Sequence, residues 1–347
     1  MMSPGVVFAF LMLAFVGWIA LPLVPAIMEL VRPRDAAPLN AVGNDSGQLT
    51  FFATSFLRRV TEEGLLGTMV PPKLSDGSLV RVHAASTPLG APGSAVSELS
   101  VLFDDSPLPD NLDLERECFA RMTVRTGRGV TFRALLGQRD IVLGPESTVL
   151  RWVHARGLLQ VATGSALLGR ATAERGIVLA SGVRFDRLEA DVVRVEGAEP
   201  TEVQIMPTAS YQPFVPQKAL FMAPQYWRVD GDVTIPPGSA VLGSLIVRGN
   251  LVIGQGSRIQ GSIKARGELR IMSGCTLNGA VSARGRVVID AGSRISGPVI
   301  SETEIILGNA IVGVASTRTT ITAPRVVMSP GATVYGAVMA ADGGYTA

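Results

Sequence analysis

The sequence predicts an all-β protein: a β-helical solenoid with 18-residue coils, standing behind an N-terminal transmembrane helix. The first observation is a set of glycine columns, at 231, 249, 267 and 285, at 238, 256, 274 and 292, and at 243, 261, 279 and 297. The second is a set of aliphatic columns in the same register: Val233, Leu251, Leu269 and Val287; Ile235, Ile253, Ile271 and Ile289; Val241, Ile259, Leu277 and Ile295; Leu245, Ile263, Val281 and Val299. A fixed period of this kind marks a repeat whose units cannot bury their apolar face alone and therefore stack. Eighteen residues are too few for paired helices. They suffice for three short alternating strands turned at glycine corners, with like side chains stacked at about 4.8 Å. The third observation is the apolar run Val6 to Leu30, long enough to cross a bilayer as a helix.

Composition agrees with thin aliphatic ladders. Of the 347 residues 47% are hydrophobic but only 5% aromatic, whereas a globular enzyme core usually carries more rings. A formal charge of +2 offers no electrostatic case for nucleic acid. Among 31 basic side chains only Lys73, Lys218 and Lys264 are lysine, as a GC-rich genome would produce. Cys118 and Cys275 form neither a disulfide framework nor a metal spacing, and read as free thiols.

In chain order, residues 1–32 form the anchor; a cleaved signal peptide is the competing reading, but no basic segment precedes the run and no small-residue cleavage signature follows a short apolar stretch. The segment before Val6 has no basic side chain, while Arg32 and Arg34 follow the span, so the positive-inside rule places the C-terminal bulk in the cytoplasm of a single-pass inner-membrane protein. Residues 33–117 read as a linker containing an amphipathic helix over Leu49 to Leu66 and an irregular Pro/Gly/Ser-rich stretch, with a short strand at Leu79 to Val82. That helix sets Phe52, Phe56 and Val60 against Arg58, Arg59, Glu62 and Glu63, a face suited to the membrane surface, a partner helix or the chain's own solenoid. Residues 118–206 repeat the rhythm in worn form: Ile141, Leu159, Ile177 and Val195; Leu143, Val161 and Leu179; Val149, Leu167, Phe185 and Val203. Residues 207–227 break it with four prolines and several rings; Tyr211, Phe214, Phe221, Tyr226 and Trp227 would cover an open solenoid end or form a sticky patch. The regular solenoid spans 228–340, its register slipping after Val299, and residues 341–347 are a small polar tail without a cap.

The segment beginning GSLIVRGNLVIGQGSRIQGSIKARGELRIMSG, with its recurring G-x-(L/V)-x-I-x-x-G-x-x-(I/L)-x-G-x-(I/V), resembles the bactofilin family of polymer-forming cytoskeletal proteins, over about Arg228 to Tyr335. The resemblance implies a right-handed β-helix that assembles end to end into nucleotide-free filaments, often membrane-associated, scaffolding cell-envelope or polysaccharide machinery. Bactofilins are usually short chains with one rod and disordered tails. Here an anchor, a long preceding region and a second, worn rod are added.

The rhythm is shared with the left-handed β-helix of hexapeptide acyltransferases, since Ile253, Ile259, Ala265, Ile271, Leu277, Ala283, Ile289 and Ile295 fall six apart. Those enzymes need a general base, typically histidine, and 228–347 contains none; His83 and His154 read as structural. No cofactor or metal is expected, and the sequence points to a non-enzyme. Two surfaces are candidates for function. Val334, Val338 and Met339, on an uncapped final coil, would offer unpaired strand edges for self-association. Arg248, Arg266 and Arg284 would stack as a ladder, either a solvated edge or a strip docking lipid head groups, an acidic protein or an anionic polysaccharide. The expected partners are further copies of the chain, inner-membrane lipid and envelope or polysaccharide-synthesis proteins. The alternative is a monomeric docking module in an envelope secretion or synthesis complex.

Overall fold

The computed structural model describes residues 50–67, 70–198, 211–216, 219–223 and 226–347, together with Gly5, Leu11, Met12 and Phe15. The chain divides into two compact units, 1–44 and 45–347. Among the described residues no helix is long and apolar enough to cross a membrane. The expected span lies almost wholly outside them.

The larger unit is a β-solenoid of about 14 turns, with 32 strands among the described residues, numbered β1 to β32 in chain order. Its second half follows the periodic columns closely. Val233 pairs with Leu251, Leu251 with Leu269, Leu269 with Val287 and Val287 with Ile305, all in parallel ladders. Two further parallel sheets run through Val241, Ile259, Leu277 and Ile295 and through Leu245, Ile263, Val281 and Val299. These inward side chains are fully buried. Backbone pairing and aliphatic burial therefore grow together, turn by turn. An interior polar column is satisfied in the same manner. Ser257 Oγ accepts from the Ser239 amide at 3.3 Å and donates to the Pro236 carbonyl at 3.0 Å. Cys275 occupies this column, its Sγ 3.2 Å from the Gly254 carbonyl, with burial pushing its thiol up to about 11.

Corner side chains add a second ladder. Asp232 Oδ1 accepts the Asn250 amide at 2.7 Å, and Asn250 Oδ1 accepts the Glu268 amide at 2.8 Å. After Val299 the register shifts as expected, because the loop carrying Val314 and Thr317 lengthens one turn: Val299 pairs with Ile321 rather than with a residue eighteen further on.

The worn rhythm is also a parallel solenoid, but it begins well before residue 118. β1 (Val80–His83) pairs with Leu99–Leu102, which pairs with the strand Asp113–Ala120. These first turns step by 18 or 19 residues, and Val96, Leu114 and Phe132 form a column eighteen apart, but prolines punctuate the stretch between its strands. Deeper in, Val149, Leu167 and Phe185 stack as expected. Val195, however, pairs with Leu179 rather than with Ile177, since a bulge after Ala190 brings Val193 opposite Ile177. Val203 lies outside the described residues.

The helix α1 (Phe51–Glu62) buries Ala53, Phe56 and Val60 against Val101, Phe119, Ala134, Leu136 and Trp152 on one side of this first rod. Phe56 meets Trp152 edge to face at 5.7 Å. That packing explains why strands such as Thr131–Gly137 are apolar on both faces. Phe52 is excluded from it and lies exposed beneath the Arg170 guanidinium.

Candidate functional site

In a solenoid every interior strand has two neighbours, so unpaired backbone is confined to the ends. The last turn of the first rod is a single strand, β12 (Arg184–Val195); the last turn of the second is β32 (Thr333–Thr346). The two pair antiparallel with each other, from Arg184 opposite Tyr345 to Arg194 opposite Thr333. Both rods thus present the same end, the C-terminal one, to a common junction. Antiparallel pairing is the pattern that such an arrangement demands, because turning one rod over reverses its strands.

This corrects the expectation for the C-terminal coil. Val338 faces Leu188, Val334 faces Val193 and Met339 faces Arg187. Val338, Val334, Leu188 and Val193 are fully buried in one core that runs through both rods. The edge expected to receive another copy is filled by the chain's own first rod. The polar tail is equally committed: Thr346 Oγ1 accepts the Val183 amide at 2.9 Å and donates to the Ala180 carbonyl at 2.7 Å. Gly344 is required there, since a Cβ would sit 2.8 Å from Phe185 Cδ2 and nearer still to Cε2 and Cζ of the ring. Arg318 pairs with Asp191 across the seam. The alternating Gly343-Gly344-Tyr345-Thr346 was the available sequence signal for a final strand. Beside the junction lies a groove of about 640 Å³ lined by Val178, Val192, Ile311, Arg294 and Tyr335, among others.

The opposite end of the second rod is different. Its first turn comprises β15 (Tyr226–Val229), β16 (Val233–Ile235) and Ser239–Leu242. Among the described residues, β16 pairs only inward, with Leu251–Ile253. β13 (Gln212–Pro213) adds a short piece to Ser239–Ala240, and β14 (Leu220–Ala223) folds back antiparallel on β15. The connector rings divide between the two expected tasks. Phe214 and Trp227 pack on the core, and the Trp227 indole N–H reaches the Leu242 carbonyl at 3.3 Å. Phe221, although 5.1 Å from the Trp227 ring, is 60% exposed; Leu220, Met222 and Val215 are similarly bare, and Leu242 is 68% exposed.

The arginine ladder occupies one corner. Val229, Val247, Ala265, Ala283 and Ser301 are in register, so Asp230, Arg248, Arg266, Arg284 and Glu302 follow one another along that corner. Arg248 lies 3.3 Å from Asp230 and Arg284 3.8 Å from Glu302, all exposed. The strip is bracketed by carboxylates, and pairs of this kind hold one another weakly, at about 0–1 kcal/mol. Asp230 and Glu302 stand in the same column in the sequence and could have been read from it.

Both histidines are engaged by the first rod. His83 is buried, its Nδ1 accepting the Leu89 amide at 3.1 Å with Nε2 3.2 Å from the Ser106 carbonyl. His154 Nδ1 lies 2.8 Å from the Thr172 hydroxyl, and burial lowers the ring's pKa against the opposing pull of Glu174. Among the described residues no group of three or more His, Cys, Asp and Glu side chains is placed to hold a metal ion.

Fold and ends together define a two-rod parallel β-helix joined through its two C-terminal turns. Residues 251–343, within the second rod, match the family described as Bactofilin: Polymer-forming cytoskeletal, and the match takes in most of the sealed last turn. No curated protein and no solved structure matches the chain.

Proposed function

We propose that this protein is a membrane-anchored structural scaffold, acting without catalysis, that self-associates through a β-helix end and organises cell-envelope or polysaccharide machinery at the bacterial inner membrane, its bulk in the cytoplasm. The observation that carries self-association is the N-terminal turn of the bactofilin rod. Among the described residues β14 pairs only with β15 and β16 only with Leu251–Ile253, and Leu220, Phe221, Met222 and Leu242 there are exposed. Adding a strand there joins backbone hydrogen bonds to apolar burial. The apolar run Val6 to Leu30 and the arginines that follow it support anchoring and orientation. The bactofilin match supports the scaffolding role.

The docking-module alternative keeps the rod single and uses Arg248, Arg266 and Arg284. The bracketing carboxylates weaken it, leaving Arg266 as the centre of any anion-binding strip. The test is the mass of the full-length protein in detergent micelles, together with its partition between membrane and soluble fractions of the producing cells. Association recovered from the membrane fraction is expected. A single copy at every concentration would sink the self-associating scaffold, and a wholly soluble protein would remove the anchor.

A further inference from the structure

The seam makes one sheet face continuous through both rods. Arg258, Thr276, Arg294, Ile311 and Thr333 stand in parallel register along the second rod. Thr333 pairs with Arg194 across the seam, and Val178, Gln160, Val142 and Arg125 carry the column on through the first rod. With Ala240 ahead of Arg258 the column crosses eleven strands, a span of about 48 Å at about 4.8 Å per strand. Adjacent residues such as Ile259, Ile295 and Ile177 fill the core, which leaves this column on the outer face.

No carboxylate stands in this column, and its only charges are Arg125, Arg194, Arg258 and Arg294. Elsewhere on the second rod arginines are matched, Arg270 by Asp290 and both Arg286 and Arg325 by Glu304. Arg125, Arg258 and Arg294 meet no carboxylate among the described residues, and Arg258 Nε is screened from solvent without a hydrogen-bond partner. Where the rods meet, the groove of about 640 Å³ takes Leu158, Val178 and Val192 from the first rod and Arg294, Ile311 and Tyr335 from the second. A further hollow of about 300 Å³, beside Thr276 and Asn278, shares Arg294, Ile311 and Tyr335 with it. Neither rod alone forms this groove.

The spacing of charge selects the occupant. Duplex DNA carries about one charge per 1.7 Å, far denser than the arginines of this span can match. An extended polypeptide gains affinity by joining a strand edge, and every strand beneath the groove is already paired on both sides. Between the arginines lie Thr276, Asn278 and Gln160, neutral groups that both donate and accept hydrogen bonds. Val178, Ile311 and the Tyr335 ring offer apolar surface for the C–H faces of sugars. We infer that this face is a binding site for an acidic glycan, an extended chain of sugars with carboxylates at wide intervals, seated in the groove across the seam and held by Arg258 and Arg294. The site goes beyond the scaffold reading, since it uses a sheet face rather than a rod end or the arginine corner, and it stands whether or not copies associate.

The experiment uses full-length protein in uncharged detergent micelles and follows the fluorescence anisotropy of a labelled hyaluronate oligosaccharide, which carries a carboxylate on alternate sugars. Neutral dextran and polyglutamate serve as competitors. The expected result is saturable binding that weakens as salt rises and that neither competitor displaces. The double variant Arg258→Gln, Arg294→Gln should bind about tenfold more weakly, or worse, with unchanged circular dichroism and melting temperature. Lys264→Gln, an exposed charge on another face, should bind like the parent. No binding of hyaluronate would overturn the site. Undiminished binding in the double variant, or an equal loss in Arg266→Gln, would overturn the assigned face. Displacement by polyglutamate would overturn the glycan in favour of an acidic polypeptide, and binding seen only after Glu199→Gln, Glu202→Gln would do so in favour of the chain's own carboxylates.

Discussion

Val338→Asp probes the seam between the rods most directly. Val338 is fully buried opposite Leu188, near the middle of the β12–β32 ladder. Removing its side chain from the core forfeits about 1.5–3 kcal/mol of burial. A carboxyl put in its place, with no basic group in the aliphatic interior, would have its pKa raised by about 3–5 units, so at neutral pH it takes up a proton on folding, which costs about 4 kcal/mol at about 1.4 kcal/mol per pH unit above its ordinary pKa. The sum, about 5–7 kcal/mol, rivals the stability of a whole ordinary domain. Because solenoid turns depend mainly on their neighbours, the damage should stay at the seam and leave the distant turns folded. Amide exchange read by mass spectrometry should show β12 and β32 losing protection while Leu251–Ile271 keeps it. The loss should be worst near pH 7.5 and should ease as pH falls from the raised folded pKa toward the ordinary aspartate value near 4, where the carboxyl is neutral in the folded state. Val338→Asn, which cannot ionise, should show no such pH dependence beyond the parent's. Unchanged protection of β12 and β32 in Val338→Asp would refute the claim that these two strands are paired.

Three further outcomes follow from named contacts. A Cβ at Gly254 would lie 2.6 Å from the Pro236 carbonyl carbon and 2.7 Å from the Ile235 oxygen, both backbone of the turn below, whereas Gly256 faces open space at φ +67°. Gly254→Ala should therefore cost at least 1–3 kcal/mol by overpacking and Gly256→Ala about 1–2 kcal/mol from backbone strain alone, to be compared in urea melts. Glu189 is buried at the seam, one carboxylate oxygen without a partner, and burial pushes its pKa up against the pull of Arg318. Its folded form thus holds the proton more tightly, so stability falls as pH rises from the unfolded toward the folded pKa. Glu189→Gln should melt higher than the parent at pH 7.5, with the gap closing toward pH 4; a gap independent of pH would count against the assignment. Cys275 and Cys118 are buried thiols whose pKa values burial raises, so neither should react with iodoacetamide in the folded protein at pH 8, and both should react in denaturant.

Much of the bactofilin rod is legible in the sequence because each turn repeats one placement. When Ile253 is interior, Ile271 and Ile289 are too, and the period alone identifies the parallel ladders. Even the shift after Val299 is visible as a break in spacing. The first turns, β1 to the strand Asp113–Ala120, keep a step of 18 or 19 residues, and the column Val96, Leu114 and Phe132 could have been read, but the Pro- and Ser-rich corners between the strands mask it. The helix face could be read at Phe56 and Val60, but the choice of the solenoid over a membrane surface needed Phe119, Leu136 and Trp152 lined up beneath it.

By itself the sequence determined the repeat, the interior columns, the apolar N-terminal run and the want of a histidine base in the second rod. The tertiary structure alone decided that the chain doubles back, so that Val338 meets Leu188 and the final coil is sealed. The physical reason is range. Ladder pairing recurs at a spacing of about one turn and leaves a periodic trace, whereas the seam joins strands on opposite sides of the connector, where no period relates the two sequences. One antiparallel contact, invisible to pattern, thereby closes the C-terminal end of the second rod.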